Sequence, residues 1–380
     1  MAESPILGRV DRELEEIRSS GLWRSTPPAV EVPVDLSTNS YLALQDRPEV
    51  ARAALDLAGD RLSGNLASRL VGAASSLYGR LEEEISRWKG APSALVFNSG
   101  YAANAGVFGA LCGRGTEVFC DRLDHASILD GVRLGGAELV RYGHNDMGDL
   151  RDRLSASRVS EKIIATESVF SMDGDTAPLA DLCDLADRHA CLLVVDEAHA
   201  AGVFGKDRAS GLAEEAGCER RIDVRIGTLS KAAAGAGGFF AGAARLRDYL
   251  VNRARSLIFS TGLPHAVLAW DLAAVSHIRS HPAAGRDLLA RAAAFREKLR
   301  GMGFDTGASG TQIIPLIVGG NERVVALSRF LMERGIKAPA IRSPAVPRGT
   351  ERLRLSVHAG FDAAQEGRVL EALREWKSRA

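Results

Sequence analysis

Lys231 stands in a segment that could lower the pKa of its amine. The residues that follow it, up to Gly238, are all alanine or glycine, and no carboxylate comes within thirteen positions after it. Small residues let other groups approach the backbone closely, and an apolar setting favours the neutral, nucleophilic form of the amine. A surface lysine on a glycine-rich loop would show the same local pattern. The segment alone therefore leaves a catalytic and a structural interpretation open.

Other polar groups follow short apolar runs that we predict to be strands, at residues 94–97, 117–120, 162–167, 191–196, 224–227 and 238–241. Helical patterns, such as 102–111, 179–189 and 246–256, lie between them. This alternation predicts a largely parallel sheet covered on both faces. Ligands bind at the carboxyl ends of the strands in such sheets. The polar residues gathered there are Ser99, Gly100, Tyr101, His125, Glu167, Ser171, Asp196, His199, Thr228, Ser230 and Lys231.

Taken together, these residues suit one cofactor. Backbone amides of Ser99, Gly100 and Tyr101 open a predicted helix and would bind a phosphate. Pyridoxal phosphate requires such anion donors, an acid at its pyridine nitrogen, for which Asp196 is placed, and a lysine for covalent attachment. Each residue is weak evidence by itself, because a lone histidine is more often structural than catalytic. The combination at five successive strand ends is what indicates the site.

Competing functional classes lack their defining motifs. The tetrapeptide 196–199 also occurs in nucleic-acid helicases, but the chain has no G-x-x-x-x-G-K-[ST] sequence. It also has neither the H-E-x-x-H of metalloproteases nor a dinucleotide-binding G-x-G-x-x-G after the first strand. Lysine plus arginine and aspartate plus glutamate number 48 each, so no basic surface favours nucleic acid. The five cysteines are scattered and form no C-x-x-C pair, which predicts that the chain has no metal site. We find no signal peptide and no apolar run of ~20 residues, so we expect a cytoplasmic protein without a membrane span.

The remaining elements predict three regions. Residues 1–41 form an N-terminal helix, with apolar spacing over 5–20, and an arm. Residues 42–275 form the cofactor-binding α/β domain, and residues 276–380 form a smaller α+β domain after a long helical region at 265–300. Within the second region, the helix around Leu77 to Trp88 should expose its three glutamates, Glu82, Glu83 and Glu84, to solvent.

Motifs along nearly the whole chain resemble those of the α-oxoamine synthases, pyridoxal-phosphate enzymes of fold type I that join an amino acid to an acyl thioester with loss of carbon dioxide. Within that family they are most similar to the 8-amino-7-oxononanoate synthases of biotin biosynthesis. The motifs are Asn39–Leu42, Phe97–Asn104, Asp121–Ser127, Glu167–Asp175, Asp196–His199, Thr228–Lys231, Ala340–Pro344 and Arg352–Leu355. The resemblance implies a homodimer whose mostly parallel central sheet is of the seven-stranded type.

The resemblance also implies roles for individual residues. Lys231 would carry the cofactor, Asp196 would pair with its ring nitrogen, His125 would stack on the ring, and His199 would bond its phenolic oxygen. Arg354 would hold the carboxylate of the amino acid. The phosphate would be held by Ser99, Gly100, Tyr101 and Thr228, with Ser260 and Thr261 from the other subunit. Asn39 and Ser171 would line the substrate pocket. Arg24 and Arg342 would face the acyl chain or its distal carboxylate.

The implied substrates are L-alanine and a pimeloyl thioester of coenzyme A or of an acyl carrier protein. Two glycine-using synthases of the same family, 2-amino-3-ketobutyrate ligase and 5-aminolevulinate synthase, are alternatives. A catalytically inert interaction protein of the same fold is a third, although the intact Lys231 and Asp196 argue against it.

Overall fold

The computed structural model describes residues 4–20, 22–24, 26, 30–64, 66–72 and 75–379. The chain divides into two compact units, Met1–Pro33 and Val34–Ala380. The first unit contains helix α1 (Pro5–Ser19), which begins with a proline at its first turn and buries none of its residues. Proline suits that position because the first helical amides have no partner within the helix. The predicted helix over 5–20 is therefore present, with an exposed apolar side.

The second unit contains three sheets and the helices that cover them. Its strands are β1 (Val34–Asp35), β2 (Ser93–Phe97), β3 (Thr116–Asp121), β4 (Glu138–Tyr142), β5 (Glu161–Glu167), β6 (Leu192–Asp196), β7 (Val224–Thr228), β8 (Gly238–Gly242), β9 (Ile313–Ile317), β10 (Ile336–Lys337), β11 (Ala340–Ile341) and β12 (Arg352–Ser356). Its helices are α2 (Pro48–Ala58), α3 (Ser76–Lys89), α4 (Gly100–Leu111), α5 (Ala126–Gly135), α6 (Met147–Ala156), α7 (Leu179–His189), α8 (Leu212–Glu215), α9 (Ala244–Arg253), α10 (Arg255–Ile258), α11 (His265–Ser280), α12 (Ala283–Gly301), α13 (Asn321–Met332) and α14 (Ala363–Arg379). A short 3-10 helix spans Leu44–Asp46.

The central sheet has seven strands in the order β2-β8-β7-β6-β5-β3-β4. All neighbouring pairs are parallel except those made by β8, which runs antiparallel to both β2 and β7. The carboxyl ends of β3, β5, β6 and β7 therefore lie along one edge of the sheet. This arrangement confirms the predicted mostly parallel, seven-stranded α/β fold, and it brings the polar strand ends together.

Alternate residues of each strand enter different cores, as expected for a sheet buried on both faces. On β2, Leu95 and Phe97 pack in one core with apolar residues of α4, α5 and α9. Ala94 and Val96 face the opposite core, which contains residues of α3 and α11. Nearly continuous apolar strands are required because neither face meets water.

Two smaller sheets contain the strands of the C-terminal part of the chain. Strands β11, β12 and β9 form a small antiparallel sheet in that order, and β1 pairs with β10 in parallel. The region predicted as one helical stretch at 265–300 is two helices, α11 and α12, which are separated at His281-Pro282 because proline lacks the amide proton that a continuing helix needs. Within the described residues, no helix is long and apolar enough to cross a membrane.

The prediction of a solvated glutamate face on α3 is wrong for two of its three residues. Glu82 is buried, and its carboxylate accepts hydrogen bonds from Arg69, at 2.6 Å, and from the backbone amide of Val96. Glu84 is also buried and accepts from Arg279 at 2.7 Å. Only Glu83 is exposed as predicted. Cationic partners from distant parts of the chain offset the cost of burying these carboxylates.

Candidate active site

Lys231 lies just beyond the carboxyl end of β7, with its amine Nζ 2.8 Å from His199 Nε2. Desolvation lowers the pKa of this amine to about 8, while the charges of Asp196 and Glu167 act in the opposite direction. The predicted lowering of the pKa is therefore confirmed. Carboxylates are nevertheless close, because they arrive from β5 and β6 rather than from the sequence around the lysine.

Asp196 ends β6, the strand next to β7, and is buried. Its Oδ1 accepts a hydrogen bond from the amide of Ala198 at 2.8 Å, and its Oδ2 accepts from Asn104 Nδ2 at 2.7 Å. The same amide nitrogen donates to Ser127 Oγ at 2.9 Å. Hydrogen bonds to the charged form stabilise a buried carboxylate. The side chain is thus held in one orientation at the sheet edge.

His199 links Lys231 to Tyr41. Its Nδ1 lies 2.6 Å from the Tyr41 hydroxyl, and its Nε2 faces the lysine. Burial, followed by the charges of Lys231 and Arg354, holds the pKa of His199 well below its usual value. The imidazole is consequently neutral at physiological pH. Gln312 fixes the backbone of the same residue by donating to its carbonyl oxygen at 2.8 Å.

His125 occupies the end of the loop after β3 and caps α5. Its Nδ1 contacts Ser127 Oγ at 2.7 Å, and Ser127 is the residue that also receives the Asn104 amide. Desolvation lowers the pKa of His125, against the attraction of Asp196, although part of the residue stays exposed. An oriented, mainly neutral ring with an open surface can stack on a planar ligand.

The start of α4 has the helix-start geometry that the predicted anion site requires. Ser99 is its N-cap, and the Ser99 hydroxyl accepts from the amide of Ala102 at 3.0 Å. A Cβ atom on Gly100 would lie 3.2 Å from Thr228 Cβ, and one on Gly238 would lie 2.6 Å from the Gly100 amide nitrogen. These glycines therefore allow the backbone to approach closely around unpaired helical amides.

The hydroxyl groups of Thr228 and Ser230 follow β7, and the Tyr101 side chain is engaged elsewhere. Thr228 Oγ1 bonds the Gly237 carbonyl and lies 2.8 Å from Ser230 Oγ. Tyr101 is half exposed, and its hydroxyl donates to Asp130 at 2.7 Å. Tyr101 can therefore contribute to an anion site through its backbone amide but not through its side chain.

Ser260 and Thr261 lie beside the carboxyl end of β2 of their own chain. Asn98 Nδ2 donates to Ser260 Oγ at 2.8 Å and to the Thr261 carbonyl at 2.5 Å. Thr261 also forms an isolated antiparallel bridge with Ser68. Their contribution to the site of a second subunit stays a prediction.

Arg354 joins the C-terminal sheet to the site. This buried guanidinium donates to the Ser171 carbonyl at 2.5 Å through Nε and to Asn39 Oδ1 at 3.1 Å through Nη1. It also donates to Ser356 Oγ and, at 3.4 Å, to the Tyr41 hydroxyl. The structure thus brings together Arg354, Asn39 and Ser171, and their roles toward a substrate stay predictions.

The two arginines predicted to face the acyl chain have different settings. Arg24 is exposed in the N-terminal unit, where its neighbour Trp23 is covered by the guanidinium of Arg18 at 4.4 Å. Arg342 is half buried immediately after β11, next to Ser343, whose amide donates to Asn321 Oδ1. Their roles toward an acyl chain stay predictions.

Three buried side chains of the site, Tyr41, Asp124 and Gln312, could not be assigned from the sequence. Glu167 lies at the predicted strand end, but its sequence position indicated no role. Glu167 is buried beside Asp196, and desolvation, then the Asp196 charge, raises its pKa to about 8. Asp124 lies behind it, accepting from the Glu167 amide at 3.1 Å, and burial raises its pKa well above the usual value. Tyr41 falls within the Asn39–Leu42 motif, and that position was the available signal.

Comparison with known proteins agrees with this geometry. The class I and II aminotransferase family matches residues 31–373. An 8-amino-7-oxononanoate synthase from Anaeromyxobacter dehalogenans is 44% identical over 375 residues, covering 96% of this chain and 94% of that protein. A solved serine palmitoyltransferase from S. paucimobilis with a bound pyridoxal phosphate–myriocin compound is 28% identical, with a TM-score of 0.90 and 98% of both chains covered. A solved 8-amino-7-oxononanoate synthase from Francisella tularensis is 25% identical, with a TM-score of 0.77, covering 91% of this chain and 98% of that one.

Proposed function

The chain belongs to the class I and II aminotransferase family and, within it, to the 8-amino-7-oxononanoate synthases, and we propose that it condenses L-alanine with a pimeloyl thioester. The products are 8-amino-7-oxononanoate, carbon dioxide and the free thiol, and the cofactor is pyridoxal phosphate. The observation that carries this proposal is the desolvated amine of Lys231, one strand from the buried carboxylate of Asp196, in a chain 44% identical to such a synthase along almost its full length.

The residues present fit pyridoxal phosphate. Asp196 is a fixed carboxylate for the pyridine nitrogen, Lys231 is an amine for covalent attachment, and the start of α4 with Ser99 and Thr228 suits the phosphate. His125 is exposed and lies close enough to Asp196 and Lys231 for their charges to affect its pKa. When bound, the cofactor supplies an electron sink for the negative charge that develops at the Cα atom of alanine.

Lys231 is the proposed general base. A pKa of about 8 leaves a useful fraction of free amine near neutral pH while the ammonium form can still return a proton. Lys231 removes the Cα proton of alanine, and the resulting carbon nucleophile attacks the thioester carbonyl and expels the thiol. The β-keto acid then loses carbon dioxide, and the ammonium form of Lys231 returns a proton to the same carbon.

Arg354 is the proposed ligand of the alanine carboxylate. Its guanidinium is positioned from three sides, by Ser171, Asn39 and Ser356. A planar guanidinium with several fixed donors is well suited to a carboxylate. Asn39 and Ser171 line the same pocket, so the amino acid is oriented by groups from three separate parts of the chain.

The acyl donor is proposed to be a pimeloyl thioester whose distal carboxyl group or ester contacts Arg342, with Arg24 as a second candidate. The half-buried position of Arg342 after β11 supports this assignment, because a partly desolvated guanidinium binds a carboxylate more strongly than an exposed one. Coenzyme A and an acyl carrier protein remain alternative thiol carriers, and the predicted cytoplasmic location remains a prediction.

A homodimer is the proposed assembly, with Ser260 and Thr261 completing the phosphate site of the second subunit. Large apolar side chains are exposed near these residues, among them Leu66, Val71 and Phe259. The segments that carry them are connected by the Ser68–Thr261 bridge. Exposed apolar groups concentrated in one region favour a protein interface.

The test is release of free thiol and of carbon dioxide over a matrix of amino acids and thioesters. Alanine, glycine and serine are each combined with the pimeloyl thioesters of coenzyme A and acyl carrier protein, and with acetyl, succinyl and palmitoyl coenzyme A. The proposal expects the highest kcat/KM with alanine and a pimeloyl thioester. A preference for glycine with acetyl or succinyl coenzyme A would assign the chain to a glycine-using synthase. Absence of release, together with absence of cofactor absorbance that borohydride bleaches, would make it an inert relative.

A further inference from the structure

The hydroxyl group of Tyr41 lies where three functional side chains of the site meet. Tyr41 is fully buried, and its hydroxyl oxygen is 2.6 Å from His199 Nδ1, 3.2 Å from Asn39 Oδ1 and 3.4 Å from Arg354 Nη2. The other nitrogen of His199 faces Lys231 Nζ at 2.8 Å. A continuous chain of hydrogen bonds therefore runs from Lys231 through His199 and Tyr41 to Asn39.

The direction of this chain follows from the donors and acceptors available. Arg354 Nη1 can only donate, and it contacts Asn39 at 3.1 Å, so the atom of Asn39 that faces Arg354 and Tyr41 must be the amide oxygen. That oxygen cannot donate to Tyr41. When the Tyr41 oxygen accepts from His199 Nδ1, its own hydroxyl proton is available to the Asn39 oxygen at 3.2 Å.

His199 is constrained by the same count. If the Tyr41 proton points to Asn39, the Tyr41 oxygen can only accept from His199, which requires the proton of the neutral imidazole to be on Nδ1. Nε2 then has a free lone pair directed at Lys231, and an ammonium group can only donate. Every member of the chain is satisfied in this arrangement and in no other with a protonated lysine.

We infer that Tyr41 is a positioning residue that sets the tautomer of His199, holding the proton on Nδ1 and the lone pair of Nε2 toward the Lys231 ammonium group while Lys231 is not bound to a cofactor. A hydroxyl group is suited to this position because it can both accept and donate. When Lys231 no longer donates to Nε2, the Tyr41 proton can turn to Nδ1, and His199 can then take the Nε2-protonated tautomer. Arg354 keeps Asn39 Oδ1 satisfied in both states.

This inference rests on the proposed function only for the cofactor-loaded state. A histidine that donates from Nε2 could bond an anionic oxygen of a bound ligand, whereas one that accepts there could not. Tyr41 would thus allow one histidine to serve the free amine in one state and an anionic ligand oxygen in the other. A carboxylate or phenylalanine at position 41 would not support both tautomers, since the former only accepts when ionised and the latter does neither.

The test is nitrogen-15 NMR of the full chain labelled at its eight histidines, with the His199 signals identified by comparison with His199→Asn. In the cofactor-free protein near pH 7, we expect His199 to be protonated at Nδ1 and unprotonated at Nε2. Addition of pyridoxal phosphate should move the proton to Nε2. One ordinary hydrogen bond supplies a preference of about ten to one for the Nδ1-protonated over the Nε2-protonated form of His199. In Tyr41→Phe this hydrogen bond is lost, so the ratio of the two forms should fall toward about one to one.

Tyr78→Phe is the matched control. Tyr78 is also buried, and its hydroxyl accepts from the backbone amide of Leu263 rather than from His199. Both variants should lose thermal stability to a similar extent, but only Tyr41→Phe should shift the His199 signals. Nε2 protonation in the free protein, or unchanged His199 signals in Tyr41→Phe, would overturn the inference. Because the free-protein measurement needs no substrate, its failure is distinguishable from failure of the synthase activity.

Discussion

His144 provides a prediction for which the magnitude can be worked from the structure. It follows β4, and its two ring nitrogens contact Asp121 Oδ1 at 3.0 Å and Asp175 Oδ2 at 2.7 Å. Phe170 packs edge-on against the ring, with centroids 4.5 Å apart. The imidazolium therefore ties the loop that carries Ser171 to the end of β3.

Partial burial alone would lower the pKa of His144, but the hydrogen bonds and charges of Asp121 and Asp175 outweigh it and raise the pKa to about 10. Relative to an unfolded value of 6.5, this rise corresponds to at most about 5 kcal/mol of stability, at ~1.4 kcal/mol per pH unit. The side chain is 23% exposed, so water screens the pairs and we expect about half of that amount.

The sign of the pH dependence follows from the raised pKa. The native state binds one more proton than the unfolded state between pH 6.5 and about 10, so the contribution of His144 is complete below pH 6.5 and disappears as the pH rises through 10. His144→Gln keeps a hydrogen-bonding side chain without the charge. The loss of unfolding free energy in this variant should therefore be about 2–3 kcal/mol at pH 6 and should approach zero near pH 10.

The measurement is urea unfolding of both proteins at pH 6, 8 and 10, at fixed protein and saturating cofactor concentrations. His281→Gln is the control, because His281 is exposed after α11 and its ring contacts Ser280 and the His277 carbonyl rather than a carboxylate. A difference between wild type and His144→Gln that stays constant from pH 6 to pH 10 would refute the assignment of a charged, doubly paired His144.

Three further predictions concern catalysis. Lys231→Ala should abolish synthase turnover while circular dichroism and reversible cofactor binding persist; more than trace turnover would contradict the role of Lys231. Asp196→Asn should reduce kcat by several orders of magnitude, because a neutral amide cannot stabilise a protonated pyridine and a charged buried hydrogen bond alone is worth ~1.5–3 kcal/mol; near-normal Cα proton exchange of alanine, followed by NMR, would exclude that role. Arg342→Ala should raise the KM for the pimeloyl thioester far more than the KM for alanine, and equal increases in both would make Arg342 structural.

The central sheet could be predicted well from the sequence because its strands are buried on both faces. Six strands were predicted within one or two residues of their bounds, since each is a short, almost wholly apolar run. The seventh, β4, was missed. It lies at the edge of the sheet, and its sequence, Glu138 to Tyr142, includes two charged residues and is mostly not buried. An edge strand has only one neighbour and does not need a continuous apolar run.

The chemistry at the strand ends was also accessible to prediction, because the carboxyl ends of parallel strands must meet. Lys231, Asp196 and His199 were placed together on that ground. The structure shows contact between Lys231 and His199, and Asp196 is close enough for its charge to affect the pKa of Lys231. The partners that tune these groups were not accessible. The contact between Tyr41 and His199 spans 158 positions and that between Arg354 and Tyr41 spans 313, and no local pattern encodes contacts of that range.

Contacts between parts of the chain that are distant in sequence also hold the site together. Arg354 on β12 contacts Ser171 and Asn39, and on the same strand Arg352 donates to Asp173 at 2.5 Å. Both arginines thus fasten the loop after β5 to the C-terminal sheet, while His144 fastens the other end of that loop to β3. The loop is fixed from two sides, so the Arg354 guanidinium keeps its position relative to Lys231 even though separate sheets carry them. Because catalysis depends on such positioning within fractions of an ångström, the charged pairs around this loop belong to the catalytic architecture although none of them needs to touch the substrate.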